Sequence, residues 1–157
     1  MTLPSRLRAV LIGGSIAATL DILFAITYAA TNGLTPLKLL QTVASGLLGN
    51  AAFDGGVPAA MLGLAGHFGM SYLWATLFMA AASRLPQLVA KPAVAGPIFG
   101  ILVFFTMRLV VLPLSAFPYP VSFSQPGATL DLLSHMFFVG LPIALAAAKA
   151  IRPRILA

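Results

Sequence analysis

Four long apolar stretches constrain this chain more than any other feature of its sequence. A membrane-spanning helix needs about 20 mostly apolar residues, and each stretch is long enough to supply one. Only 8% of the residues are charged, whereas a soluble domain has about 25%. The sequence therefore predicts an all-α integral membrane protein, a single transmembrane domain over 1–157. Its four transmembrane helices would form an up-down bundle, at about 9–30, 57–82, 92–117 and 128–148.

The segment between the first two stretches predicts a short amphipathic helix over about 35–49. Thr35 can cap its N-terminus, and Pro36 suits its first turn. Apolar residues then recur at helical spacing, at Leu37, Leu40, Val43 and Leu47. We expect this helix to lie at the outer membrane interface or to pack on the bundle.

The net charge of +6 comes from basic residues that are grouped on one side of the predicted bundle. Lys38 is the one basic residue between stretches on the opposite side, and Arg108 lies inside the third stretch. The other seven of the nine are Arg6, Arg8, Arg84, Lys91, Lys149, Arg152 and Arg154. By the positive-inside rule, both chain termini are predicted to be cytoplasmic. No basic stripe with interleaved aromatic residues exists, so no nucleic-acid partner is expected.

Each stretch also carries an ionisable residue, although such a residue costs about 2.5–3.5 kcal/mol in the middle of a membrane helix. At 1.5 Å per residue, Asp21, His67, Arg108 and His135 fall roughly 11–15 Å below the outer helix ends, and Asp131 lies one turn above His135. We therefore expect them to face one another in the outer half of the bundle and to form a ligand or proton site. They are Asp21, His67, Arg108, Asp131 and His135.

The helical faces support this arrangement. Asp21 shares a face with small residues, which permit close helix approach, and His67 shares one with Met70, Ser71 and Trp74. Asp131 and His135 are four residues apart and can touch. The small residues beside Asp21 are Gly14, Ala17, Ala18 and Ala25.

The cluster is compatible with several functions. Asp21 and Arg108 could form a buried ion pair that fixes helix register. Alternatively, they could line a cavity open to the outer side, with His67 and His135 exchanging protons near neutral pH. Because ionisable residues inside membranes commonly serve function, binding or transport of a small polar ligand or proton is the preferred prediction.

Two further chemistries use the histidines. No cofactor is expected, but His67 and His135, on diagonal helices at similar depth, could be the axial ligands of a b-type haem. Together with Asp131 they could bind zinc or another divalent ion, although no metal site is predicted. An enzyme is not favoured, because the chain has no glutamate, no cysteine, no phosphate loop and no convincing Ser-His-Asp order.

Pairs of small residues allow a third class of function, that of an accessory or structural subunit. Such pairs can pack against another chain, in a homo-oligomer or a larger membrane complex, or within the bundle itself. The pairs are Gly13 with Gly14, Gly63 with Gly66, and Gly96 with Gly100.

Several motifs between Leu11 and Leu145 occur together in this chain. They are Leu40-Gln41, Ala44-Ser45-Gly46-Leu47-Leu48-Gly49, Ala52-Phe53 with Gly55-Gly56, His67, Val110-Val111-Leu112-Pro113-Leu114-Ser115, and His135 with Gly140-Leu141-Pro142-Ile143-Ala144-Leu145. In these motifs the chain resembles an uncharacterised family of small bacterial inner-membrane proteins. The resemblance implies four membrane helices, a lipid bilayer as partner and the bacterial inner membrane as location, but no activity. The family commonly has Asn in place of Arg108, which implies that a shared mechanism rests on Asp21, His67 and His135.

Overall fold

A computed structural model describes residues 3–151, and within this range the chain forms six helices and no strand. The all-α prediction is thereby confirmed. Arg152 and Arg154, two of the residues used to predict orientation, lie outside the described range. The helices are α1 (Leu3–Thr31), α2 (Pro36–Leu48), α3 (Gly56–Arg84), α4 (Gln87–Ala90), α5 (Pro92–Leu114) and α6 (Gly127–Ile151).

Three of the helices are long and apolar enough to cross a membrane: Ser5–Thr31, Pro92–Leu114 and Gly127–Ile151. They correspond to three of the four predicted spans and indicate a membrane protein. Helix α3 has 29 residues, as many as α1, but it is not among the three. Polar residues, among them His67 and Ser71, interrupt its apolar sequence.

The predicted amphipathic helix is present as α2. The Thr35 hydroxyl accepts a hydrogen bond from the Lys38 amide at 3.2 Å, and Pro36 is the first helical residue, as expected from the sequence. Helix α2 packs directly on α3, where a Cβ built on Gly63 would lie only 2.0 Å from the Leu40 carbonyl oxygen. The contact explains why Gln41 is buried at 4% exposure, with its side-chain amide donating to the Gly56 carbonyl.

The four long helices pack around one core. Helix α1 contacts α3 and α6, and α6 also packs along α5. Helices α3 and α5 meet through the rings of Phe78 and Phe99, whose centroids are 4.9 Å apart. Helix α6 also contacts α3, so it contacts all three of the other long helices.

Helices α5 and α6 cross with their backbones in contact. A Cβ built on Gly100 would lie 2.1 Å from the His135 carbonyl oxygen, and one built on Gly140 would lie 2.0 Å from the Gly96 carbonyl oxygen. Gly13, Gly14 and Gly63 are also closely packed inside the chain. The glycine pairs thus serve internal packing, with the exception of Gly66, which has no heavy atom of another part of the chain within 4 Å of a built Cβ.

Two wide, π-helical turns interrupt the last two long helices, at Met107–Val111 in α5 and at His135–Gly140 in α6. Each precedes a proline, Pro113 or Pro142, which has no N–H to donate to the preceding turn. Such turns are frequent at functional sites, and these two carry Arg108 and His135. Helix α5 ends at Leu114 rather than near 117, because the backbone of Ser115 is extended and leaves the helical conformation.

Candidate functional site

A cavity of about 60 Å³ lies among the four long helices. One water molecule needs roughly 10–15 Å³ by this measure, so the cavity has room for a few waters. All four long helices contribute to its lining, which includes Asp21, His67, Met70, Ser71, Met107 and His135. The structure therefore brings together three of the five predicted site residues at one cavity.

Asp21 reaches the cavity from α1. Its Oδ1 accepts a hydrogen bond from the Ser134 hydroxyl of α6, and Ser134 is only 2% exposed. The contact is possible because Ala17 and Ala18, which are 0% and 1% exposed, let α1 approach its neighbours closely. Asp21 does not pair with Arg108, so that part of the sequence interpretation is wrong.

His67 reaches the cavity from α3, opposite α1. Its Nε2 lies 3.0 Å from the Ala18 carbonyl oxygen. A carbonyl oxygen can only accept, so Nε2 carries the hydrogen and donates it. One turn further along α3, the Ser71 hydroxyl donates to the Gly14 carbonyl at 2.8 Å. These two polar side chains of α3 are thus directed at the backbone of α1.

The Arg108 side chain lies outside the cavity, at the end of the bundle near the 115–126 loop. Its Nη2 and Nε donate to Oδ2 of Asp131 at 2.8 and 3.2 Å, and its Nη1 donates to the Ser122 carbonyl. The guanidinium also lies over the rings of Phe104 and Phe123, at 4.9 and 5.4 Å from their centroids. Arg108 therefore fastens α5 to α6 and to the loop, and it does not line the cavity.

Asp131 joins this ion pair to the cavity. Its Oδ1 lies 3.2 Å from Nδ1 of His135, and its carbonyl oxygen accepts from the same nitrogen at 2.9 Å. This is the contact that the four-residue spacing predicts. The result is a polar chain, Arg108 to Asp131 to His135, that runs from the loop to the cavity wall.

The described residues contain no group of three or more His, Cys, Asp or Glu side chains that could hold a metal ion. A divalent site formed by His67, His135 and Asp131 is therefore not assembled here. The physical reason is that Asp131 is engaged by Arg108 and His135, away from His67. A bis-histidine haem stays a prediction.

Sequence reasoning placed Met70, Ser71 and Trp74 on the face of His67, and all three line the cavity. It missed Met107 and Ser134. Ser134 precedes His135 in sequence, and neighbouring positions of a regular helix point apart, but here each contacts a different partner of the same site. Trp74 adds a polar atom without a partner, since its indole Nε1 is buried and has no acceptor among the described residues.

Comparison with known proteins finds no matching family profile, no similar curated protein and no similar solved structure. Membership of the family that the motifs resemble stays a prediction.

Proposed function

We propose that this chain is a four-span membrane protein whose cavity binds a proton or a small polar solute and passes it across the bilayer. The observation that carries the proposal is the meeting of Asp21, His67 and His135, from three helices, at one small cavity. Ionisable residues inside membrane helices commonly line paths for ions and protons. The cavity volume favours a proton or a solute of about the size of water over a larger organic ligand.

The polar chain supplies a route from the loop to the cavity. Asp131 contacts His135, and His135 and Asp21 line the same cavity. An imidazole can take up a proton on one nitrogen and release one from the other, near neutral pH. Water in the cavity would connect these groups with His67 on the opposite wall.

The other end of the bundle is closed. Between the cavity and α4 the core consists of buried apolar side chains, among them Phe78, Met79 and Ile143. Passage therefore requires that helices separate at this end. The wide turns at Met107–Val111 and His135–Gly140 are suited to such movement, because their backbone hydrogen bonds are already rearranged.

Helix α3 is proposed as the fourth span. Its polar groups His67 and Ser71 bond to α1, whereas its outward face carries large exposed hydrophobic residues. The polar groups that α3 directs at α1 therefore do not oppose contact of its outward face with lipid. The outward residues are Val57, Met61, Leu62, Leu73 and Leu77. With four spans, both termini lie on the same side of the membrane. By the positive-inside rule, the basic residues place that side in the cytoplasm, with the chain in the bacterial inner membrane.

The native chain has no cysteine, so single cysteines can report this topology. We expect Asn50→Cys to react with a membrane-impermeant maleimide in right-side-out vesicles, and Gln87→Cys to react in inverted vesicles. Both positions are exposed and lie at opposite ends of α3. The cysteine-free chain is the control. Labelling of both variants from the same side would show that α3 does not span the membrane.

A flux measurement tests the proposed activity. In proteoliposomes with a pH-sensitive dye inside, Asp21→Asn should slow proton flux at least about tenfold, equivalent to about 1.4 kcal/mol of barrier, because it removes the carboxylate at the cavity. Asp54→Asn, the same change in an exposed turn, should match the native chain. Equal flux in the two variants, or no flux in the native chain, would contradict proton passage.

No observation in the described residues specifically supports the accessory-subunit or the haem alternative. The helix glycines are used for packing within the described part of the chain, apart from Gly66 and Gly69 of α3, which are open. Both histidines line a cavity that has room for a few waters. An absorption spectrum of the purified protein checks the haem directly.

A further inference from the structure

We propose that the cavity is a binding site for the soft monovalent metal cation Cu(I). Two thioether side chains, Met70 and Met107, line the same cavity as the two imidazoles of His67 and His135. Thioether and imidazole groups together suit copper, and thioethers in particular select Cu(I). The inference rests on the proposed function in one respect: it takes this cavity as the place where a solute is held.

The hydrogen bonds of the two histidines match those of metal ligands. A ligating histidine almost always donates its other ring N–H to a carboxylate or a backbone carbonyl, which fixes the tautomer and the ring orientation. His67 donates from Nε2 to the Ala18 carbonyl, and His135 donates from Nδ1 to the Asp131 carbonyl, with the Asp131 carboxylate 3.2 Å from the same nitrogen. In the neutral rings, Nδ1 of His67 and Nε2 of His135 then carry the lone pairs. No hydrogen bond within residues 5–151 occupies either nitrogen.

The methionines are placed selectively. Met70 follows His67 by three positions on α3, so the two side chains share a face. Met107 lies on α5 at the start of the wide turn that precedes Pro113. The other methionines of the described range do not line the cavity: Met61 is exposed on the outer face of α3, Met79 is packed in the apolar core, and Met136 lies elsewhere on α6.

Charge favours a monovalent ion over a divalent one. Asp21 is the one carboxylate among the cavity-lining residues, and Asp131 is already paired with Arg108. A single positive charge beside Asp21 leaves the cavity neutral, whereas a divalent ion would leave an uncompensated charge in a region of low dielectric, which is costly. Zinc would also require a fuller set of nitrogen, oxygen or thiolate ligands, which the described residues do not assemble. The Trp74 ring, also part of the lining, offers a π face that attracts a cation.

The test is a Cu(I) titration of the full-length protein in detergent, under anaerobic reducing conditions, against a chromogenic Cu(I) chelator. We expect one Cu(I) per chain. We expect binding to weaken at least about tenfold for each ligand removed. The variants are the double variant Met70→Leu with Met107→Leu, and the single variant His135→Gln. The matched control, Met61→Leu with Met79→Leu, changes the same number of methionines outside the cavity and should bind as the native chain does.

X-ray absorption of the bound copper supplies a readout that does not depend on the variants folding. Sulfur and nitrogen scatterers in the native protein support the site, and copper with oxygen scatterers only, or no tight Cu(I), overturns it. Tight Zn(II) in place of Cu(I) overturns it as well. Proton flux measured on the same preparation separates the two proposals. Flux without copper binding overturns the metal site alone, and copper binding without flux overturns proton passage alone.

Discussion

Replacing Gly100 by valine is expected to prevent α5 and α6 from packing. A Cβ at this position would lie 2.1 Å from the His135 carbonyl oxygen and 2.5 Å from the Met136 Cα. Both of these are backbone atoms, so no rotation of a side chain can relieve the overlap, and the helices must move apart. Overpacking of a well-packed core usually costs 1–3 kcal/mol, and more where backbone must shift. We therefore expect a loss of at least about 3 kcal/mol.

Unfolding of the detergent-purified variants, followed by circular dichroism during heating or titration with a denaturing detergent, measures this loss. Gly66→Ala is the matched control, because a Cβ on Gly66 meets nothing within 4 Å. In a helix that change is expected to stabilise by about 0.5–1 kcal/mol. A Gly100→Val protein that unfolds together with the native chain would contradict the close crossing of α5 and α6.

The same crossing places the candidate site. Gly100 lies against the turn that begins at His135, and Met107 is about two turns along α5 from it. Separating α5 from α6 therefore changes the positions of His135 and Met107 in the cavity wall. Stability and site geometry are coupled at this point of the bundle, and Gly100→Val is expected to impair copper binding and proton flux together.

Much of the fold was predictable because it follows from local sequence patterns. Apolar length predicted the long helices, and Thr35 followed by Pro36 predicted the start of α2, where the structure shows the cap. The four-residue spacing of Asp131 and His135 predicted their contact. The residues that share a face of α3 with His67 were likewise predictable, because helical periodicity determines which side chains lie on the same face.

The partner of Arg108 was not predictable in the same way. Counting residues from the predicted helix ends puts Arg108 near the depth of Asp21 and Asp131 closer to the outer end, which favoured the wrong carboxylate. Which of the two carboxylates Arg108 meets depends on how α5 is rotated about its axis. The wide turn at Met107–Val111 changes that rotation from the regular helical value, and the 115–126 loop then captures the guanidinium through Ser122. A long arginine side chain can also extend toward the bundle end, where it is better solvated.

The position of Met107 at the cavity was not predicted, for a related reason. Methionine is a common filler of irregular apolar gaps, so a methionine in a membrane helix predicts nothing specific. Its position at the cavity becomes visible only when α3, α5 and α6 are assembled. A proline six residues further on, at Pro113, was the one local feature that could have indicated a changed helical register at this point.

Removing the charge of Arg108 is expected to have the second-largest effect on stability. Arg108→Met keeps much of the apolar stem but leaves Asp131 without its cation and frees the Ser122 carbonyl. The two side chains are 18% and 36% exposed, so the pair lies between a surface ion pair, worth about 0–1 kcal/mol, and a buried one, whose breakage costs about 3–5 kcal/mol. We expect a loss of about 2–3 kcal/mol in the same unfolding assay.

The matched control is Lys38→Met. Lys38 lies over the Phe53 ring at 4.4 Å, so it also makes a cation–π contact, but no salt bridge between Lys38 and a carboxylate is found in the described residues. An exposed contact of this kind contributes about 0.5–1 kcal/mol. Comparison of the two variants therefore separates loss of the ion pair from loss of a positive charge beside an aromatic ring.

The double variant Arg108→Met with Asp131→Asn decides whether the ion pair is the cause. If the cost of Arg108→Met is the uncompensated Asp131 carboxylate, neutralising Asp131 should recover most of it, with a coupling of roughly 2 kcal/mol between the two sites. Strictly additive losses would instead assign the effect to the contacts of Arg108 with Phe104, Phe123 and Ser122. Because Asp131 also holds His135, the double variant is expected to recover stability without recovering proton flux. Recovery of stability without recovery of flux would show that Arg108 stabilises the bundle. It would also show that Asp131 links this ion pair to the cavity.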